Sequence, residues 1–410
     1  MTDRLGDHLV VNRDCVEAMG DLPDCSVDAI VTDPPYGLGF MGKKWDDLPP
    51  GDDFAREAFR VCKPGAYIVA FGGTRTAHRL TVALEDAGFE IRDTLHWCYW
   101  SGFPKSLDVS KAMDKAAGAE REVVGHLKGI GSNAGSGCYS WNNAEDGQDR
   151  TTYAATLPAT ESARQWQGWG TALKPAIEPA IMARKPLTGT VADNVLQWGT
   201  GALNIDASRI AYGDPAWPGP QDAGTLRVSN AGTNGDGWGM GTREHMNGGH
   251  NLGRFPANLY YCPKASTAER EAGCADLRQQ AAGELTGGRE EGSAGLDSPR
   301  AGAGRTSDGR GNSHPTVKPI RLMRWIVRLV TPPDGVVLEP FAGSGTTLLA
   351  TELADIGARC IAIEREAQYI DIIRARFGAR EVLRRMLSGP VSAADKDTIM
   401  RQCSLFEEGP

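Results

Sequence analysis

Asp28-Ala29-Ile30-Val31-Thr32-Asp33-Pro34-Pro35-Tyr36 is the stretch on which the reading of this 410-residue chain turns. The apolar, β-branched run over 27–32 reads as a buried strand, and it ends abruptly in a carboxylate, two prolines and an aromatic ring. Proline lacks an N–H and fixes φ, so the strand must stop here and the turn it opens is stiff. Asp33 and Tyr36 are thereby presented at the carboxyl end of a strand, where open α/β sheets place their ligands. Asp-Pro alone would be explained by a strand terminator with an acidic turn residue. The whole run Asp-Pro-Pro-Tyr is rarer and asks for a second piece.

That piece lies some three hundred residues later, in Val336-Val337-Leu338-Glu339-Pro340-Phe341-Ala342-Gly343-Ser344-Gly345-Thr346-Thr347. It reads as strand, glycine turn, then a helix over 348–356. Glycines let the backbone approach a ligand closely, and the helix N-terminus behind them favours negative charge. A second strand, 359–363, ends in Glu364 about 20 residues after the glycine turn, the spacing at which a carboxylate accepts from ribose hydroxyls. A nucleoside cofactor is implied. No Lys follows Gly345 before the threonines, which excludes a Walker loop, and the third glycine of a dinucleotide fingerprint is missing.

Asp-Pro-Pro-Tyr followed much later by Phe-Ala-Gly-Ser-Gly-Thr-Thr resembles the DNA amino-methyltransferases that use S-adenosylmethionine. With the catalytic motif first and the cofactor motif last, the order is similar to the permuted beta class. His314-Pro315-Thr316-Val317-Lys318-Pro319 matches a third motif of that family. The likeness covers roughly the first 115 residues, a stretch near 170–186, and 314 to about 377. Glu339 departs from it, since the family usually carries Asp there. The resemblance implies a Rossmann-like α/β fold: a mostly parallel, seven-stranded methyltransferase sheet, helices on both faces, and an inserted recognition region. It further implies S-adenosylmethionine as cofactor, double-stranded DNA as partner and a homodimer. Asp14 would face the adenine amino group of the cofactor, and Thr316 and Lys318 its methionine carboxylate. Phe341 is expected to pack on the adenosyl group, with backbone N–H groups around Gly343, Ser344 and Gly345, and Thr346 or Thr347 assisting. Glu339 and Asp33 complete the expected cofactor set. Nothing in the sequence identifies a partner endonuclease.

The bulk properties bound the remaining possibilities. A chain of this length builds one large α/β core with insertions, or two domains. A net charge of −8 gives no global attraction to DNA, so a DNA face must be a local basic patch. Nine cysteines lie scattered with no CxxC pair, which argues against a zinc ribbon or disulfide framework and suits a reducing cytosol. The first residues are charged and polar and no apolar run approaches ~18 residues, so a cytoplasmic protein with no membrane span is expected.

In chain order, residues 7–13 read as a strand leading to Asp14, which otherwise caps the helix after it. A helix over 52–62 is stopped by Lys63-Pro64-Gly65 and followed by a strand over 66–71. Another helix, 76–87, leads to a long strand over 89–100. These alternating units demand a mostly parallel sheet with helices on both faces. The expected organisation is a catalytic half (1–118), an insertion (119–170), a returning core strand (171–186), a target-recognition insertion (187–313), a cofactor half (314–387) and a tail (388–410). Pro175 and Pro179, near the start of the returning strand, suit an edge or strand ends. Lys105 would meet a phosphate or the flipped nucleotide. The first insertion, rich in Gly, Ser and Asn, is expected to be partly mobile until something binds, with Trp141 among the aromatics able to stack on bases. Arg243 and Arg254 lie in the glycine-rich part of the second insertion, and 279–312 has the composition of a disordered segment.

The chemistry follows from residue type. An exocyclic amine of adenine or cytosine is a poor nucleophile, because its lone pair is delocalised into the ring. Asp33 can accept one N–H and the carbonyl of Pro34 the other, turning the lone pair toward the methyl and stabilising the developing charge. Pro35 keeps that carbonyl fixed, and Tyr36 offers a ring on which the extruded base can stack. Carbon-5 methylation of cytosine would need a cysteine nucleophile in a Pro-Cys pair, and the chain has none. N6 of adenine is the expected target, with N4 of cytosine as the alternative. An RNA or protein-amide methyltransferase and an inactive DNA-binding relic are the readings from other classes.

Overall fold

The computed structural model describes residues 2–39, 46–99, 101–102, 106–128, 152–211, 214, 216, 253–279 and 310–388. Its strands are β1 (Thr2–Leu5), β2 (His8–Val11), β3 (Val27–Thr32), β4 (Cys62–Phe71), β5 (Glu90–Cys98), β6 (Val123–Lys128), β7 (Thr152–Thr156), β8 (Ile177–Arg184), β9 (Leu259–Tyr261), β10 (Val336–Glu339) and β11 (Arg359–Ile363). The helices are α1 (Cys15–Gly20), α2 (Asp52–Val61), α3 (Ala77–Asp86), α4 (Val109–Ala116), α5 (Glu161–Gln165), α6 (Val191–Trp198), α7 (Thr267–Glu271), α8 (Ile320–Val330), α9 (Thr346–Glu352), α10 (Ala367–Gly378) and α11 (Arg380–Ser388). None of the described helices is long and apolar enough to cross a membrane.

One sheet organises the molecule, in the order β1-β2-β11-β10-β3-β4-β8-β5-β9. It has nine strands where seven were expected. The additions are the two edges, β1 folding back antiparallel on β2 and the three-residue β9 pairing parallel to β5. Parallel pairing joins β2, β11, β10, β3 and β4, so the carboxyl ends of β3 and β10 emerge side by side.

Every residue of β3 is buried, as its unbroken apolar run requires of a central strand. Ala29 and Val31 face a cluster with Leu322, Trp325 and Ile326 of α8, while Ile30 faces Phe54, Ala58 and Leu80 of α2 and α3. Each large side chain so buried contributes ~1.5–3 kcal/mol. Asp28, also buried, accepts from the Val336 N–H at 2.8 Å and pairs with Lys63 at 2.6 Å, tying β3 to both neighbours.

Two expectations are corrected. Lys63-Pro64-Gly65 does not separate a helix from a strand, because α2 runs straight into β4. Between Val27↔Cys62 and Ala29↔Tyr67 the ladder bulges around these residues, and Gly65 takes φ +80° with its N–H on the Lys185 carbonyl. Nor is β8 an edge strand, since it lies antiparallel between β4 and β5. Pro179 is tolerated because it sits just past Phe71↔Ala180, the last pair with β4, where its carbonyl still accepts from Gly72 at 3.0 Å. Part of the first insertion is regular. Strands β6 and β7 pair antiparallel, and Asp114 of α4 accepts from the N–H groups of Ala159 and Thr160, both at 3.0 Å. The 388–410 tail and most of the 279–312 segment lie outside the described residues.

Candidate active site

Two chain turns at the carboxyl ends of β3 and β10 line one cavity of about 870 Å³, which also holds Asp14, Glu178, Thr316, Lys318 and Glu364. Asp33, Pro34, Pro35 and Tyr36 form one wall; Glu339, Phe341, Gly343, Ser344, Thr346 and Thr347 form another. Gly345 is not part of the lining. At φ +77° it caps α9, and a side chain there would press on Ile373 at 3.1 Å.

The first wall is held by a residue that sequence reasoning missed. Buried Asp46 accepts the N–H groups of Tyr36 at 2.6 Å, Gly37 at 3.0 Å and Leu38 at 3.3 Å. Thr76 donates to the Tyr36 carbonyl at 2.6 Å. The turn is fixed before any ligand arrives, and no spacing or composition signal marks Asp46 for this work.

Inside the cavity the Tyr36 hydroxyl lies 2.9 Å from Asp33 Oδ1 and 3.0 Å from Glu178 Oε2. Lys318 Nζ stands 2.5 Å from Asp33 Oδ1, 3.0 Å from the Tyr36 hydroxyl and 3.3 Å from Glu178 Oε2. Its ammonium lies with Asp33 on the first wall and not beside the glycine turn, because two half-buried carboxylates attract it there. Thr316 is exposed, and its carbonyl accepts from His314 Nδ1.

Burial raises the pKa of Asp33, opposed by the Lys318 charge and reinforced by Glu178. Burial acts the same way on Glu178, but Lys318, Lys264 and the Tyr36 hydrogen bond outweigh it and hold that carboxyl below its ordinary value. For Lys318, burial is overcome by Asp33 and Glu178, so it remains an ammonium. The Tyr36 phenol is pushed well above its ordinary value by burial and by both carboxylates, and stays a neutral donor.

On the wall around the glycine turn, Glu364 accepts the N–H groups of Gly343 and Glu366, each at 2.7 Å and each on a different oxygen. Lone pairs remain on both oxygens for further donors. Gly343 takes φ +52°, and a Cβ there would lie 2.7 Å from His314 Nε2. Phe341 packs at 5.3 Å from Phe54. Asp14 caps α1 through the Val16 N–H at 2.9 Å and also lines the cavity. Glu339 accepts from Thr32, Thr347 and the Phe341 N–H. Its added methylene lets one carboxylate join β3, the glycine turn and α9, so its oxygens are engaged within the protein.

Burial pushes both Glu339 and Glu364 up to about 7. Between the ordinary glutamate value of 4.5 and about 7, the folded chain keeps protons that the unfolded chain has released. Stability from these groups is therefore fully present below the lower value and lost as pH rises through the upper one, by up to ~3 kcal/mol each. Thermal melts of ligand-free Glu339→Gln from pH 5 to 8 should show a shallower fall of Tm than the unaltered protein. An unchanged slope would contradict this account.

Of the expected DNA contacts, Lys105, Trp141 and Arg243 lie outside the described residues. Arg254 forms a backbone bridge with Ile210 and is not among the cavity lining. The arginine stripe of α8 is tied to the protein body: Arg321 pairs with Asp214 at 2.5 Å, and Arg324 and Arg328 reach Asp355 at 3.2 and 3.3 Å.

A family model described as DNA methylase matches residues 27–116 and 243–375, together more than half of the chain. The type II methyltransferase M.HindIII of Haemophilus influenzae is 24% identical over 330 residues, covering 80% of this chain and 68% of that protein. Among solved structures, the PvuII DNA methyltransferase, described as cytosine-N4-specific, superposes with a TM-score of 0.44 at 14% identity, over 97% of this chain and 93% of that one. A putative DNA modification methylase of Thermus thermophilus, in complex with S-adenosyl-L-methionine, gives a TM-score of 0.40 at 16% identity, over 91% and 94%.

Proposed function

The chain belongs to the DNA methylase family, and on that premise we propose that it is a site-specific DNA methyltransferase acting on N6 of an adenine turned out of the duplex, with S-adenosylmethionine as methyl donor. The observation that carries this reading is the single cavity shared by Asp33 and Tyr36 on one side and by Gly343 and Glu364 on the other. At about 870 Å³ it lies in the range of small-molecule sites, which run to ~1,000 Å³.

The cofactor wall fits the donor. The free lone pairs of Glu364 suit ribose hydroxyls, and Phe341 offers a ring to the adenosyl group. When bound, the cofactor supplies an electrophilic methyl on a sulfonium. The chain's own part is to make the amine reactive. Asp33 Oδ2 has no partner within the protein among the described residues and is free to accept one amine N–H. The Pro34 carbonyl accepts the other. With both N–H bonds held, the nitrogen becomes tetrahedral with its lone pair directed across the cavity. The extruded base costs a few kcal/mol in lost stacking, which contacts in this pocket offset. Buried Asp46 keeps the Asp33–Tyr36 turn from reorganising as charge develops.

Incubating duplex DNA with the protein and labelled S-adenosylmethionine, then digesting to nucleosides, should yield N6-methyladenine. N4-methylcytosine would instead select the alternative target, which presents the same amine-beside-ring-nitrogen edge. Label confined to RNA or protein would overturn the assignment to DNA.

A further inference from the structure

The acceptor side of the cavity also bears on which nitrogen of the base receives the methyl group, an inference that rests on the amino-methyltransferase reading. In adenine the target amine sits beside N1, and in cytosine beside N3. The lone pair of that ring nitrogen lies in the ring plane and is not delocalised, so toward a methyl electrophile it is the stronger nucleophile of the two. An enzyme that methylates the amine must silence its neighbour.

Two ammonium groups on this side of the cavity are Lys264 and Lys318. Lys264 is half exposed and sits over the Tyr99 ring at 4.2 Å, 3.8 Å from Glu178. Lys318 is only 7% exposed and lies 2.5 Å from Oδ1 of Asp33, the carboxylate that accepts the amine. A donor and an acceptor thus stand next to each other. They complement the acceptor and donor that stand next to each other on the Watson–Crick edge of adenine or cytosine. Thymine and guanine present a carbonyl where the amine would be and a ring N–H where the lone pair would be, so the same pair of groups rejects them.

We infer that Lys318 donates an N–H to the ring nitrogen beside the target amine, occupying its lone pair and directing the methyl group to the amine. Of its three contacts, the one to Glu178 at 3.3 Å is the longest and is the one the ring nitrogen replaces. Glu178 keeps the Tyr36 hydroxyl at 3.0 Å and Lys264 at 3.8 Å. In the amine reaction a nitrogen–carbon bond forms, the donor's carbon–sulfur bond breaks with its electron pair left on sulfur, and the amine releases one proton past Asp33 to solvent. In the ring reaction the same bonds form and break, but the nitrogen carries no proton to release, so the product is a ring-methylated cation. That difference in charge separates the two products.

The test is a single turnover of Lys318→Met on duplex DNA, followed by digestion under neutral conditions and chromatographic separation of ring-methylated from amine-methylated nucleosides. Ring-methylated product should appear with the variant and not with the unaltered protein, while Lys318→Arg, which keeps a donor, should restore amine selectivity. A binding measurement covers the case of an inactive variant. Replacing the ring nitrogen of the target base by C–H should weaken DNA binding of the unaltered protein by about tenfold, the worth of one hydrogen bond to a charged group. Lys318→Met should bind both duplexes equally. Purely amine-methylated product from Lys318→Met, or unaltered protein indifferent to the C–H replacement, would overturn the role of Lys318 alone. Absence of any amine-methylated nucleoside from the unaltered protein would instead overturn the methyltransferase reading beneath it.

Discussion

Asp33→Ala is expected to lower single-turnover methyl transfer by on the order of 10³-fold, the range typical of removing one group that holds the reacting atom and its developing charge. Cofactor affinity, measured by calorimetric titration, should stay nearly unchanged. The separation is physical: Asp33 sits at the end of β3, whereas most of the atoms proposed to face the cofactor come from β10, β11 and their turns. The substitution should also fold, because Lys318 retains Glu178 and the Tyr36 hydroxyl as partners and is not stranded as an unpaired buried charge. Because burial and Glu178 raise the pKa of Asp33, the acid limb of the rate profile should lie above the ordinary aspartate value. Transfer retained within a few-fold by Asp33→Ala would refute the role given to this carboxylate.

Glu364→Gln should give the reciprocal result. An amide at this position keeps the size of the side chain but gives up the charge that, above a pH of about 7, strengthens hydrogen bonds from ribose hydroxyls. A hydrogen bond to a charged group is worth ~1.5–3 kcal/mol, so cofactor affinity should fall by about 10- to 100-fold. At saturating cofactor, transfer should continue at close to the unaltered rate, because Glu364 does not touch the acceptor. The amide must also satisfy two backbone donors, Gly343 and Glu366, with a single carbonyl oxygen. Part of the loss therefore comes from a loosened glycine turn, and hydrogen exchange at Gly343 should report it. Unchanged affinity would mean that the carboxylate only braces the turn.

The parts of the molecule legible in its sequence are those where local chemistry leaves one choice. Val27–Thr32 has to be a buried strand and Pro34-Pro35 has to end it; Gly343 and Gly345 occupy φ values that other residues avoid. Glu364 is found by its spacing because strand, turn and helix lengths in such a unit vary little. What stayed hidden depends on partners brought together only by the finished sheet. Lys318 meets Tyr36 across 282 positions, and no pattern within either segment says that the ammonium will lie beside Asp33. The same holds for Asp46, an unremarkable loop acid until three backbone N–H groups converge on it. Pro179 misled for a related reason. Proline forbids a hydrogen bond on one side of one residue, and only the length of β4 reveals that none was needed there.

The pairing of Ala29 with Val337 has a consequence for biosynthesis. Until β10 emerges from the ribosome, β3 has no permanent neighbour along one side, and its unbroken apolar run is a ready template for another chain. Contacts this distant in sequence are also slow to form. Yield in a foreign host should therefore depend on translation speed, growth temperature and chaperone supply more steeply than the finished enzyme's own stability would suggest.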